Sequence, residues 1–334
     1  MQLDKKAIKA FQEEILGWYA KNKRDLPWRG IPDGISLQER VYRILVSEVM
    51  LQQTQVARVI PKYHMWLRSL PSLMSLSKAT TSEVLRLWSG LGYNRRALYL
   101  HRLAKKLMDE IPDRVRDDKN EIAASSTTPR NDSVVYPTTI KGWKELPGIG
   151  EYTARAALCF AFGVQLAVVD TNIRKVILTK FQIANFKYPI SSREQPPHPS
   201  RQGGTPSPAS GEGYKEGKEI QRIADILLPI GRAVEWNQAL MDYAAAVLKK
   251  EKILQSRTKQ KPFKDSDRYY RGRIVKLLLE GVPHVPRVSR VPRGVLKEEL
   301  RKELGLEEER FEKIVKQMEK DGLLREKEEK IQLF

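Results

Sequence analysis

Apolar residues recur at helical spacing through most of the first 112 residues, and that period constrains the fold more than any other feature. Ala7, Ile8, Phe11, Ile15, Leu16 and Tyr19 share one face of a first helix, which should end before Leu26-Pro27-Trp28. Apolar residues are dense from Val41 to Trp66, where Pro61 is expected to separate two helices. Ser82–Leu91 reads as another helix, closed by Gly90 and Gly92, and Tyr93–Met108 as one more with a basic outer face. Helices are expected again at 219–230 and 236–250, so the fold class is all-α.

Two stretches break the period. Residues 115–134 are polar, and 189–217 are dominated by Pro, Gly and Ser, so both are expected to be flexible insertions in one domain spanning 1–250. A basic linker, 251–265, leads to a module at 266–334. Its pattern is a helix at 268–280, two further helices at 296–304 and 307–321, and a short strand pair after a Gly turn. That is the order of a winged helix-turn-helix, with a small helical bundle and a frayed tail as the alternative.

Composition names the partner class. With 60 Lys+Arg against 41 Asp+Glu, the 334 residues carry +19, which points to a polyanion, nucleic acid before membrane surface. No apolar run reaches the roughly 18–20 residues of a membrane span, and no signal peptide is visible, so a cytoplasmic, nucleoid-associated location is expected. The single cysteine, Cys159, excludes a disulfide framework within the chain and any multi-cysteine metal or iron–sulfur site. The four histidines lack ligand spacing, and no metal site is expected.

Three segments carry chemistry. In Leu146-Pro147-Gly148-Ile149-Gly150, two glycines let the backbone turn tightly ahead of a helix, and the N–H groups there can hold a phosphate. An ordinary Pro-Gly turn is the bland alternative. Asp170 ends the apolar run Leu166–Val169, either as a plain helix N-cap or as a carboxylate at the floor of a cleft with Asn172 supporting it. Glu48 is the only carboxylate between Val41 and the end of its helix, with Leu45 and Gln52 on the same face. Burial should raise its pKa, as a general acid near neutral pH needs, unless Arg43 or Arg58 pairs with it. One raised and one ionised carboxylate form a recurring arrangement for cleaving a glycosidic bond. Joined to a phosphate-binding hairpin and a basic surface, that chemistry becomes removal of a base from DNA.

These residues resemble the helix-hairpin-helix DNA glycosylase superfamily, and within it the MutY-type adenine glycosylases. The resemblance covers about residues 8–112 and 137–248. It rests on Leu26-Pro27-Trp28-Arg29, VSEVMLQQTQV at 46–56, LWSGLGYNRRALYLH at 87–101, LPGIGEYTARA at 146–156, VVDTNIRKV at 168–176 and WNQALMDYAA at 236–245. It implies a two-lobed helical fold and a target base flipped out of the duplex into the cleft between the lobes. Glu48 then matches the acid that protonates the adenine and later handles the water. Asp170 matches the carboxylate that stabilises an oxocarbenium or covalent sugar, with Asn172 its support. Arg24, Trp28 and Gln238 match positions lining the base pocket. Gln52 and Gln53 match residues that enter the duplex, and Tyr93, Asn94, Arg95, Gly148, Gly150 and Tyr152 fall in the DNA-binding motifs.

Departures from the family refine the expectation. Tyr152 stands where lyase-competent relatives such as endonuclease III carry a Schiff-base lysine, which favours a monofunctional enzyme. Asn94 replaces the family's second tyrosine after Gly-Leu-Gly-Tyr, which loosens the inference about base choice. Leu248 falls where the first iron–sulfur cysteine would lie, so a clusterless variant without cofactor is expected. The 249–264 segment could supply the DNA contacts of the missing cluster loop. The winged-helix candidate replaces a Nudix-like module that recognises 8-oxoguanine. The expected partner is double-stranded DNA with a mismatch or oxidised base, bound by a monomer. The leading activity is excision of adenine opposite 8-oxoguanine or guanine. Its rivals are thymine or uracil excision at T:G mismatches and a non-catalytic DNA-binding protein.

Overall fold

The structure is a computed structural model and describes residues 4–30, 32, 34–109, 134–181, 210–248, 263–280 and 294–334. In chain order the helices are α1 (Lys5–Asn22), α2 (Leu37–Leu51), α3 (Val56–Ser69), α4 (Leu73–Lys78), α5 (Thr81–Trp88) and α6 (Arg95–Asp109). They continue with α7 (Ile140–Lys144), α8 (Glu151–Phe162), α9 (Thr171–Lys180), α10 (Ser210–Leu227) and α11 (Ala233–Tyr243), the last running into a π-helical turn at Ala244–Leu248. The C-terminal module holds α12 (Asp267–Glu280), β1 (Val295–Leu296), α13 (Lys297–Leu304), α14 (Glu308–Lys320), β2 (Leu324–Lys327) and β3 (Lys330–Leu333). The helical class expected from the periodicity is the one observed. Two compact units are present: Met1–Ile44, Pro137–Glu145 and Ile149–Lys259 form the first, and Leu45–Tyr136, Leu146–Gly148 and Gln260–Phe334 the second.

In the first unit, Asp4 caps α1 by accepting from the Ala7 N–H at 3.3 Å. The stripe Phe11, Ile15, Leu16 and Tyr19 packs with Ile173, Val176 and Ile177 of α9 and Trp236 and Leu240 of α11. Phe11 meets the rings of Phe181 and Trp236 edge-on at 5.1 and 5.5 Å. α8 stops at Gly163, which takes the left-handed conformation at φ 71°. α10 begins at Ser210, ahead of the expected start near 219, so residues 210–217 of the stretch expected to be a flexible insertion are helical.

In the second unit, Pro61 lies inside α3 instead of separating two helices. The boundary falls earlier, at Gln53, whose φ of 54° ends α2. The one ladder bond Pro61 removes is offset by burial of Val59, Tyr63 and Trp66 on the same helix. α4, which the periodicity does not announce, starts with a reciprocal Ser72–Ser75 capping box, and α5 with one between Thr80 and Glu83. Trp66 and Trp88, both fully buried, cross edge-on at 5.6 Å.

The C-terminal module buries Leu300, Leu304, Phe311, Ile314, Val315, Met318 and Ile331. Its strands form an antiparallel sheet in the order β1-β3-β2, with Val295 opposite Ile331 and Leu324 opposite Leu333. The tail is the strand pair β2–β3, to which β1 is joined, in place of a frayed end. The stretches 115–134 and 189–217 and the linker 251–265 lie largely outside the described residues. Among the described residues, no helix is long and apolar enough to cross a membrane.

Candidate active site

The Asp170 side chain accepts from the backbone N–H groups of Asn172 at 2.9 Å and Ile173 at 2.7 Å, and from Asn172 Nδ2 at 3.0 Å. It is therefore the N-cap of α9, and Asn172 holds its second oxygen. The N-cap reading of this residue holds, with the Asn172 amide bonded to the same carboxylate. Burial pushes its carboxyl above the ordinary aspartate value, and the bonds from Ile173 and Asn172 and the charge of Lys175 only partly oppose it. A carboxylate that is capped yet destabilised when charged gains from a cation placed beside it.

The extended run leading to Asp170 is pinned by Asn237, a buried amide on α11. Its Oδ1 accepts from the Val168 N–H at 2.8 Å, while Nδ2 donates to the carbonyls of Leu166 at 2.9 Å and Ala233 at 2.8 Å. The lone cysteine, fully buried, faces the same amide at 3.4 Å. Periodicity does not single out Asn237; the signal is an amide on an otherwise apolar helical face, which burial obliges to find partners.

One turn along α11, the Asp242 side chain is fully buried and receives two arginines. Arg24 donates its backbone N–H at 2.9 Å and Nε at 2.6 Å, and Arg29 spans both oxygens at 2.8 and 2.9 Å. Burial pushes the Asp242 pKa up, and the two arginines more than reverse it, leaving the carboxyl below its usual value. Gln238, four residues before Asp242, accepts from the Tyr19 hydroxyl at 3.0 Å, and Trp28 is buried. Arg24 and Gln238, expected to line the base pocket, bond to Asp242 and Tyr19, which the motifs do not single out.

Glu48 belongs to the second unit and Asp170 to the first. Glu48 is 8% exposed on α2, as the apolar surroundings in sequence imply. Arg43 pairs with Glu39 at 2.6 Å. Beyond Glu48, the end of α2 is gripped by Arg96 of α6, itself buried. Arg96 Nη1 donates to the carbonyls of Val49 at 2.9 Å, Met50 at 3.0 Å and Gln52. Its Nη2 donates to the carbonyls of Leu91 at 3.2 Å and Gly92 at 3.0 Å and to the Thr54 hydroxyl at 3.1 Å. Burial lowers the guanidinium to about 10, so it stays charged at neutral pH. One side chain thereby satisfies the open carbonyls of a helix end and fixes the turn that carries exposed Gln53. Arg96 shares a stripe with Leu100, Leu103 and Leu107, and a cation on an apolar stripe is the signal that marks it.

Of the two hairpin glycines, Gly148 has φ 77°, and a Cβ there would lie 2.5 Å from Tyr99 Cβ. Gly150 is the N-cap of α8 at φ −96°, which any residue adopts. Tyr152 is partly buried against Ala156, Cys159, Val168 and Ala233. Tyr93 is 40% exposed with φ 49°, Asn94 opens α6 through its carbonyl, and Arg95 bonds the Tyr99 hydroxyl at 2.7 Å.

Residues 46–195, which hold Glu48, Gly148 and Asp170, match the family described as HhH-GPD superfamily base excision DNA repair protein. That stretch of the chain is similar to the superfamily. It is similar to the adenine DNA glycosylase of Mycolicibacterium smegmatis, 34% identical over 234 residues that make up 70% of this chain and 62% of that protein. It is similar also to the adenine DNA glycosylase of Homo sapiens, 39% identical over 172 residues, 51% of this chain and 28% of the relative. The chain therefore spans about three-fifths of the first relative and under a third of the second. A solved thermostable thymine-DNA glycosylase matches with TM-score 0.52 and 25% identity over 73% of this chain and 88% of that one.

HhH-GPD proteins of the endonuclease III and MutY type are associated with a four-iron cluster, which needs four thiolates. These residues do not fit one. The single cysteine is buried against Asn237, and no group of three or more His, Cys, Asp or Glu side chains among the described residues could hold a metal.

Proposed function

We propose that this protein is an HhH-GPD DNA glycosylase that hydrolyses the N-glycosidic bond of adenine mispaired with guanine or 8-oxoguanine. The observation that carries the reading is Asp170: a capped carboxylate whose burial penalises its charged form. Such a group stabilises positive charge growing on the sugar more strongly than a solvated carboxylate does. Glu48 supplies the complementary half, giving its proton to the base as the bond from sugar to base breaks. Water then adds to the sugar carbon and returns a proton to Glu48, leaving free adenine and an abasic site. Tyr152 offers no amine for a Schiff base, so the strand stays intact and the enzyme is monofunctional. Arg24, Trp28 and Gln238 line the base pocket, and Gln52 and Gln53 enter the duplex from the turn that Arg96 fixes. The protein works without an iron–sulfur cluster.

The test is a panel of duplexes carrying A:8-oxoguanine, A:G, T:G and A:T, incubated with protein and then treated with alkali. Breakage at adenine in the first two, absent before alkali, is the expected result. Likeness to a thymine-DNA glycosylase motivates a second reading, thymine excision at T:G, and breakage at that thymine alone would establish it. Breakage nowhere, with duplex binding retained, would leave a DNA-binding protein without glycosylase activity.

A further inference from the structure

The C-terminal module has the form of a winged helix, yet the end of α14 that such a fold presents to a DNA groove is acidic. Glu307, Glu308 and Glu309 are all exposed at its first turn, and Glu328 and Glu329 form the tip of the β2–β3 wing. Carboxylates there repel phosphate. Two of the module's arginines, Arg268 and Arg271, instead bond within the same unit. Arg268 of α12 donates to the Tyr93 hydroxyl at 2.8 Å, and its guanidinium lies 5.9 Å from the Tyr93 ring, with Arg96 at 5.6 Å. Asp321, at the end of α14 and with its side chain 3% exposed, pairs with Arg95 at 3.1 Å, with Arg271, and with Gln317 Nε2 at 3.0 Å. Gly322, beside it, closes over the Arg102 guanidinium.

Arg95 in turn donates to the Tyr99 hydroxyl at 2.7 Å and lies 5.5 Å from that ring, and the Tyr99 Cβ sits under Gly148. A continuous chain of contacts thus runs from Asp321 through Arg95 and Tyr99 to the glycine hairpin. We infer that the C-terminal module is a brace for the DNA-contacting segments of its unit and not a second DNA reader, with Asp321 as the positioning residue that sets Arg95. The inference rests on the reading of the Gly148 hairpin and Tyr93 as DNA-contacting.

The test is duplex affinity of the full-length chain, measured by fluorescence anisotropy on an undamaged duplex and on one carrying a tetrahydrofuran abasic analogue. Asp321→Asn removes a negative charge, so electrostatics alone would tighten binding. The brace instead requires about a tenfold loss on the abasic-analogue duplex, with less change on the undamaged one. Arg95→Gln should lose a similar amount, and the double variant no more than either single one. Lys313→Ala with Lys316→Ala, on exposed positions of α14, should change affinity less than twofold and leave the salt dependence as it was. Thermal unfolding of each variant confirms that it is folded at the assay temperature. Unchanged or tighter binding by Asp321→Asn, additive losses in the double variant, or a reduced salt slope in the lysine variant would each overturn the brace. No excision enters this measurement, so a chain that binds but releases no adenine rejects the proposed activity alone, while one that binds no duplex rejects both.

Discussion

At the scale of single residues, the groups that stood out in the sequence are carboxylates in apolar surroundings, and Glu48 and Asp170 could be read because burial of a charge is costly wherever it occurs. Asn237 and Arg96 were not readable in the same way. Their roles depend on which backbone carbonyls arrive from distant segments, Leu166 for one and Val49 and Gly92 for the other. Two outcomes follow from these environments. Asn237→Leu leaves the buried Val168 N–H unpaired and should cost about 2–3 kcal/mol of stability. Excision should fall further than the folded fraction, because the run presenting Asp170 loses its anchor; comparing denaturant midpoints with single-turnover rates checks this. Asp170→Asn should abolish excision and yet stabilise the protein at neutral pH, since Asn still caps α9 without the buried charge. The sign follows from the raised folded pKa: the wild-type carboxyl favours folding only while protonated, and that contribution is lost as pH rises through the folded value. The stability difference between variant and wild type should therefore widen from acid to neutral pH in parallel urea titrations. A difference that narrows or stays flat would place Asp170 in a solvated setting.

Among elements, helical periodicity located most of α1 to α11 because amphipathic stripes report which face is buried. It placed the break between α2 and α3 wrongly. Proline is a strong local signal at position 61, but Trp66, Tyr63 and Val59 hold α3 together across it, while the real boundary is the left-handed Gln53 secured by Arg96. The glycine hairpin was legible as a turn, but the sequence does not say which glycine is indispensable. Gly148 is constrained twice, by a φ of 77° and by Tyr99 beneath it, whereas Gly150 is not constrained by φ. Gly148→Ala should thus displace Tyr99 or open the turn, costing about 1–3 kcal/mol and at least tenfold in duplex affinity. Gly150→Ala should cost less of both, although it too weakens the N-cap. Equal losses in the two variants, by thermal unfolding and anisotropy, would show that the Tyr99 contact is not what restricts position 148.

For the whole molecule, the chain enters each unit more than once, so neither unit is a continuous stretch of sequence, and composition gave no hint of that division. Each unit holds a titrating group with its own sign. In the second unit, His101 of α6 is buried, and burial, with the charges of Lys105 and Arg102, lowers its pKa against the opposing hydrogen bonds to the backbone of Ala79 and Ser77. The unfolded chain, with its histidine near 6.5, takes up the proton first, so this contribution is intact at neutral pH and is lost as pH falls below about 6.5. The first unit behaves differently over the same range. Asp242, held below its ordinary value by Arg29 and Arg24, keeps its contribution until pH drops through about 4 and then through its lower folded value. Asp170, raised by burial, adds stability to that unit as it becomes protonated. Acidification from pH 7 to 5 should consequently weaken α4 and α6 before α1 and α11. Native-state hydrogen exchange, corrected for intrinsic rates, should show protection falling in the first pair of helices and holding in the second. His101→Gln should remove most of that fall, each pKa unit between folded and unfolded states being worth about 1.4 kcal/mol. Loss of protection in α1 and α11 first, or an undiminished fall in the glutamine variant, would mean that a group other than His101 governs the acid response of the second unit.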